Sequence, residues 1–197
     1  MNYAEKLKVL IKQSGGLLLT KTVTEAGIPR VYISQFVEQG ILEKIERGTY
    51  ITKNAFDDEM YRLQAKYPSV VFSHDTALFL SDLTDRDPLQ YEVTVPAGYN
   101  AKNIKDSGIK VYSIRKELYP LGLTTTKTPF GREIRVYDME RTICDILRSR
   151  NQMDIAIVTD AVKRYSKLKT KNLPQLMRYA ESFRVTNSLR SYLEVLL

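Results

Sequence analysis

Apolar positions recur at helical spacing twice within the first forty residues. The period then shortens. Ala4, Leu7, Leu10 and Ile11 share one face of a predicted helix over residues 2–14, with Lys6, Lys8 and Lys12 around it. Gly15-Gly16 breaks that helix, and residues 17–19 read as a short apolar connector. Thr20 is expected to cap a second helix running through Ala26, because its hydroxyl can accept an orphan backbone N–H. Gly27 closes it in the left-handed conformation that glycine tolerates. Pro29 is expected to open a third helix, where its missing N–H costs nothing. There Ile33, Phe36 and Val37 fall at i, i+3 and i+4 as a core face, Val31, Ser34 and Gln35 lie away from it, and Gly40 ends it. Residues 42–45 and 49–51 then flank Glu46-Arg47-Gly48, a predicted hairpin with Arg47 at its tip and Gly48 at a positive φ. Helices joined by a tight glycine turn, followed by a basic-tipped hairpin, predict a winged helix-turn-helix over residues 1–56.

Residues 57–197 predict a second domain, and the whole an α+β protein. Asp57-Asp58-Glu59 opens a helix that Pro68 stops, residues 70–72 form a short buried connection, and Ser73 caps a helix bearing Ala77, Leu78 and Leu80. From Tyr91 the period becomes two: Tyr91, Val93 and Val95 alternate with Glu92 and Thr94 as a half-buried strand. Residues 109–114, 121–127 and 133–137 are three further strands, and the small sheet over about 91–137 is expected to be antiparallel. Residues 138–197 form a helical bundle. Asp138 caps its first helix, in which Met139, Ile143, Ile146 and Leu147 face inward and Arg141 and Asp145 pair at i, i+4 on the outside. Three helices follow, with inner faces built on Ile155, Val158, Val162 and Tyr165, then on Leu176, Met177, Ala180 and Phe183, then on Leu189, Tyr192, Leu193 and Leu196.

Charge changes the picture. The net +7 is uneven: residues 1–56 carry eight basic and five acidic side chains, residues 57–149 carry 13 and 14, and residues 150–197 carry nine and four. A basic excess at both ends suggests two separate contacts with a polyanion. Lys21, Arg30, Lys44 and Arg47 are the phosphate-contacting candidates, and Val31, Tyr32, Ser34 and Gln35 the candidates for reading bases. Glu38 should lie past the contact zone. The densest basic run, from Lys163 to Lys171, has no acid; Lys163, Arg164, Lys167, Lys169 and Lys171 are its candidate DNA contacts.

Catalytic chemistry is thinly represented. His74 is the only histidine; beside Asp75 on a helix it reads as a structural imidazole in a polar contact of the interdomain surface. Cys144 is the only cysteine, so no disulfide can form within the chain, and a buried thiol is expected. Neither a phosphate-binding glycine loop nor metal-ligand spacing is present, and no cofactor is implied. Asp82, Asp85 and Asp87 could hold a divalent cation, which leaves open an enzyme acting on nucleic acid or nucleotides; a polar loop explains them equally well. A protein-interaction module docking through the C-terminal helices is the other alternative. With no signal-peptide h-region and no membrane-length apolar run, a cytoplasmic, membrane-free binder rather than an enzyme is expected.

Several short motifs in order carry a resemblance. They are Gly40-Ile41-Leu42 leading to Arg47-Gly48-Thr49-Tyr50, then Phe72-Ser73-His74-Asp75-Thr76-Ala77-Leu78, Leu83-Thr84-Asp85 and Val93-Thr94-Val95-Pro96. Arg135-Val136-Tyr137-Asp138 then runs into Arg141-Thr142-Ile143-Cys144-Asp145-Ile146-Leu147. Over its whole length the chain resembles the AbiEi-type antitoxins, repressors of bacterial abortive-infection (type IV) toxin–antitoxin operons. The resemblance implies double-stranded DNA as partner, bound at operator inverted repeats upstream of its own operon. It also implies a cognate nucleotidyltransferase-like toxin that is countered by the C-terminal domain without a stable complex.

Overall fold

The computed structural model describes residues 2–196, with side chains through Glu194. They pack as two units. One comprises the residues up to Lys66 together with Pro129–Arg132, the other Tyr67–Thr128 and the residues from Glu133 onward.

The first unit begins with α1 (Tyr3–Gln13). The Asn2 side chain accepts from the Glu5 N–H while the Glu5 carboxylate accepts from the Asn2 N–H, a reciprocal cap that satisfies two orphan donors. Gly16 is required by the turn that follows: it has φ +83°, and a Cβ there would come within 2.5 Å of Ala55 Cβ and Thr52 Oγ1. The expected connector is a strand, β1 (Leu17–Leu19). It pairs antiparallel with β3 (Thr49–Ile51), whose other edge takes β2 (Glu43–Glu46). Three residues are too few to display a period of two, so only the pairing identifies the strand.

Between β1 and β2 lie α2 (Thr20–Glu25) and α3 (Val31–Glu38), with Gly27 and Gly40 at φ +70° and +67° after them. Both expected helix starts move. Thr20 is the first residue of α2 rather than its cap, and its N–H donates to the Gly48 carbonyl at 2.8 Å. Pro29 lies before α3, whose N-cap is Arg30, and the Pro29 carbonyl accepts from the Tyr32 N–H at 3.1 Å. Leu7, Ile11, Leu18, Val23, Ile28, Ile33, Phe36 and Leu42 form one buried cluster, so α1, α2 and α3 share a core with the sheet.

Helix α4 (Glu59–Lys66), expected to open the second domain, packs within the first unit. Arg62 Nη1 and Lys66 Nζ each donate to the Glu46 carboxylate at 2.8 Å. In the 129–132 segment, Arg132 Nη1 meets the Asp58 carboxylate at 3.3 Å and Nη2 donates to the Ser14 and Gly15 carbonyls, while Phe130 stacks on Phe56.

The second unit is built on a five-stranded sheet of β4 (Val71–Phe72), β5 (Glu92–Pro96), β6 (Lys110–Ile114), β7 (Leu123–Lys127) and β8 (Glu133–Tyr137), in the order β6-β5-β4-β8-β7. The sheet is mixed, not antiparallel. β4 pairs antiparallel with β5 but parallel with β8, and β5 pairs parallel with β6 because α6 (Lys102–Asp106) carries the chain back between them. The expected buried connection at residues 70–72 supplies the central strand. β5 lies inside the sheet, so Glu92, Val93, Thr94 and Val95 are all buried and the expected half-buried alternation is absent. Glu92 can be there because Lys110, its register partner, donates to its carboxylate at 2.6 Å.

Of the other helices, α5 (His74–Leu80) packs on β5 and on α7 (Met139–Arg148), and α7 packs with α8 (Ile155–Lys167), α9 (Leu173–Phe183) and α10 (Thr186–Leu196). Ile143, Ile146, Leu147, Val158, Val162, Tyr165, Leu176, Ala180 and Leu189 join one core. Ile155, expected inside, is 59% exposed in the first turn of α8. The expected inward side chain of Leu196 lies outside the described residues. Ser73 occupies the N-cap of α5 without a capping bond, because its hydroxyl accepts from Thr94 and meets His74 Nδ1. The largest departure is in α7, where residues 140–147 are all buried. Arg141 and Asp145 pair as expected, but inside the protein.

Candidate nucleic-acid interface

The first unit holds eight of the sequence-derived contacts. Val31, Ser34 and Gln35 occupy i, i+3 and i+4 of α3, and all three are exposed while Ile33 and Phe36 on the other side are buried. Val31 is 55% exposed, an apolar side chain left to solvent at the first turn of the helix. Arg30, exposed at the N-cap, donates weakly from Nε to Thr24 Oγ1 at 3.5 Å. Glu38 ends α3, one turn beyond Ser34 and Gln35. Tyr32 is half-buried, its ring 5.5 Å from that of Tyr3, so it packs α1 against α3 as well as facing outward.

Lys44 is exposed on β2, and Arg47 is exposed in the turn that Gly48 makes possible at φ +84°. No bond is needed to hold Arg47 out there; the strand pairing of Lys44 with Tyr50 and of Glu46 with Thr49 sets the turn. Lys21 is exposed on α2 and 3.9 Å from Glu25, a surface pair of about 0.3–0.5 kcal/mol at most. Such a pair gives way readily to a phosphate.

The remaining five belong to the second unit, and the structure treats them unequally. Lys163, Lys167 and Lys169 are exposed. Arg164 is not available in the same way. It donates from Nη2 to Asp85 at 2.6 Å and from Nε to Asp160 at 2.8 Å, and these bonds, Asp85 first, raise its pKa further. Lys171 Nζ donates to the Leu168 carbonyl. Tyr165, inside this basic run, is buried, and its hydroxyl donates to Glu140 at 2.9 Å.

Asp85, one of the three aspartates of the alternative cation site, is the partner of Arg164. Arg164 holds the Asp85 carboxyl below its usual range, Asp82 stands at φ +57°, and among the described residues no three His, Cys, Asp or Glu side chains are grouped to hold a metal. His74 lies in the core of the second unit, not at an interdomain surface. It is fully buried, stacked 3.5 Å from the Tyr112 ring, with Nδ1 at 2.9 Å from Ser73 Oγ and Nε2 at 3.1 Å from Ser149 Oγ. Burial, then the cations Arg148, Lys110 and Arg141, hold its pKa well below 6.5, so the neutral imidazole is a packing and hydrogen-bonding group. Cys144 is buried, its thiol pushed up by burial and aimed at the Leu176 carbonyl.

A family model described as transcriptional regulator, AbiEi antitoxin, matches residues 5–52, the stretch from α1 through β3. The resemblance to the AbiEi antitoxin transcriptional regulators is matched over that stretch. No curated protein sequence matches the chain. Among solved structures it is similar to the RV2827C protein from Mycobacterium tuberculosis, with a TM-score of 0.61 and 14% identity over 96% of this chain and 76% of that one. At that identity the likeness is one of fold. No helix among the described residues is long and apolar enough to cross a membrane.

Proposed function

We propose that the chain is the antitoxin and DNA-binding autorepressor of a type IV, abortive-infection toxin–antitoxin operon, acting in the cytoplasm. On this reading the first unit is a winged helix-turn-helix, and α3 enters the major groove of inverted repeats upstream of its own operon. Val31, Ser34 and Gln35 face bases. Arg30, Lys21, Lys44 and Arg47 neutralise phosphates along the helix start and the β2–β3 turn. The second unit, residues beyond about 66, counters a nucleotidyltransferase-like toxin without a stable complex. Its exposed Lys163, Lys167 and Lys169 give a second, weaker contact with the same polyanion.

The observation that carries this reading is the division of α3. One side is committed to the core through Ile33 and Phe36, and the other is left exposed with an apolar Val31 beside short polar side chains. A face kept only for solubility would have been charged, and this one bears no charge between Arg30 and Glu38. Fluorescence anisotropy with the duplex upstream of its gene and a scrambled duplex tests it. A preference of a hundredfold or more that persists at physiological salt is expected; equal, salt-labile binding to both refutes sequence-specific repression.

A further inference from the structure

The second unit contains a concave pocket of about 410 Å³ where the end of β6, the end of α7 and the end of α9 meet. Three arginines line it, Arg115, Arg148 and Arg184, and no lining residue is acidic. Asp145, the ion-pair partner of Arg148, is fully buried and already bonded by Arg141 Nε at 2.9 Å. Arg148 reaches the same carboxylate only at 3.5 Å, and its Nε is buried with no hydrogen-bond partner. Two arginines thus share one carboxylate, leaving an excess of positive charge beside the pocket.

Arg184 adds a second sign of constraint. It closes α9 in the left-handed conformation, φ +58°, where glycine or asparagine is the usual choice. Arg115 is exposed just past β6, with Ser113 offering a hydroxyl beside it. The floor is apolar, formed by Ile114 and Phe183, each 5% exposed. Clustered guanidinium forks suit phosphate oxygens, which accept their N–H groups in pairs. A volume of this size holds more than a bare anion and falls in the range of small-molecule sites.

We propose that this pocket binds a small phosphorylated ligand of nucleotide size, its phosphates held by Arg115, Arg148 and Arg184 and its organic part laid on Ile114 and Phe183. The inference does not rest on the operator-binding reading. Calorimetric titration of the full chain with ATP, GTP, pyrophosphate and adenosine tests it. At least one nucleotide is expected to bind tenfold or more tighter than adenosine and than pyrophosphate. Arg115→Glu, and Arg184→Asn (a side chain that accepts the positive φ), should each weaken that binding tenfold or more with unchanged melting temperatures. Lys127→Glu, exposed on β7 and outside the pocket, should leave it unaltered. Failure of the wild-type chain to bind either nucleotide at millimolar concentration would overturn the proposal, leaving the arginines as helix-end caps. Equal binding of adenosine or of pyrophosphate would also overturn it, as would equal weakening by Lys127→Glu. So would loss of operator affinity by the same factor in Arg115→Glu and Arg184→Asn, which would make the pocket part of a polynucleotide surface.

Discussion

Arg141 donates from Nε to Asp145 Oδ2 at 2.9 Å across one turn of α7, with both side chains completely buried. The same guanidinium donates from Nη1 to the Leu118 and Leu121 carbonyls and lies 4.0 Å and 4.1 Å from the rings of Tyr137 and Phe183. It fastens the segment before β7 onto α7. Removing one partner leaves an uncompensated charge in the core, which costs about 3–5 kcal/mol. Arg141→Ala should therefore lower the unfolding free energy from urea melts by that much, and Arg141→Met with Asp145→Leu should cost less than either single change. A double variant less stable than both singles would contradict the assignment.

Gly122 lies against the same residue. Its φ is +73°, and a Cβ there would stand 2.5 Å from Arg141 Cβ and 3.1 Å from Asp138 Oδ1. Its carbonyl also accepts from the Asp138 N–H at 2.8 Å. Gly122→Ala combines overpacking, about 1–3 kcal/mol, with a left-handed alanine, about 1–2 kcal/mol. A thermal midpoint several degrees lower is expected, and Gly98→Ala, with nothing within 4 Å at a similar φ, should cost only the conformational part.

Asp75 and His74 give stability opposite pH slopes. Burial first, then the Glu92 carboxylate, pushes the Asp75 carboxyl from 3.8 up to about 6. Its stabilising contribution is thus present below 3.8 and is lost as pH rises through about 6. The whole shift corresponds to about 3 kcal/mol, which partial exposure of Asp75 reduces to roughly 1–2 kcal/mol. His74, held below 6.5, contributes stability above 6.5 that is lost as pH falls. The stability advantage of Asp75→Asn over the wild type, from urea melts, should grow between pH 4 and pH 7. A gap that shrinks would refute the raised pKa.

Arg47 and the exposed face of α3 should fail in different ways when altered. If Arg47 contacts phosphate as proposed, Arg47→Ala should weaken native and scrambled duplexes alike and reduce the salt slope by about one. Ser34→Ala or Gln35→Ala should cost about 1–3 kcal/mol on the native duplex and nothing on the scrambled one. Anisotropy over a salt series separates the two, and an Arg47→Ala slope equal to wild type would remove the turn from the interface.

The helices of the first unit, the α3 faces and the Arg47-Gly48 turn were readable along the chain, because helical periodicity and glycine punctuation act over four or five residues. The same locality hid β1 and β4, whose three and two residues are identified only by the strands beside them. It hid the mixed sheet as well, since strand direction is set by what the chain does between strands. For Arg141 and Asp145 the spacing showed that they share a face, but it carries no information on whether that face meets water or the carbonyls of Leu118 and Leu121. Arg164 read as a free cation because Asp85 is 79 positions away. Arg115, Arg148 and Arg184 drew no notice singly, being ordinary arginines at element ends, and only folding gathers their charges around one pocket. Local pattern determines which elements form; the burial of charge, and the partner each charge finds, are settled by contacts between distant segments.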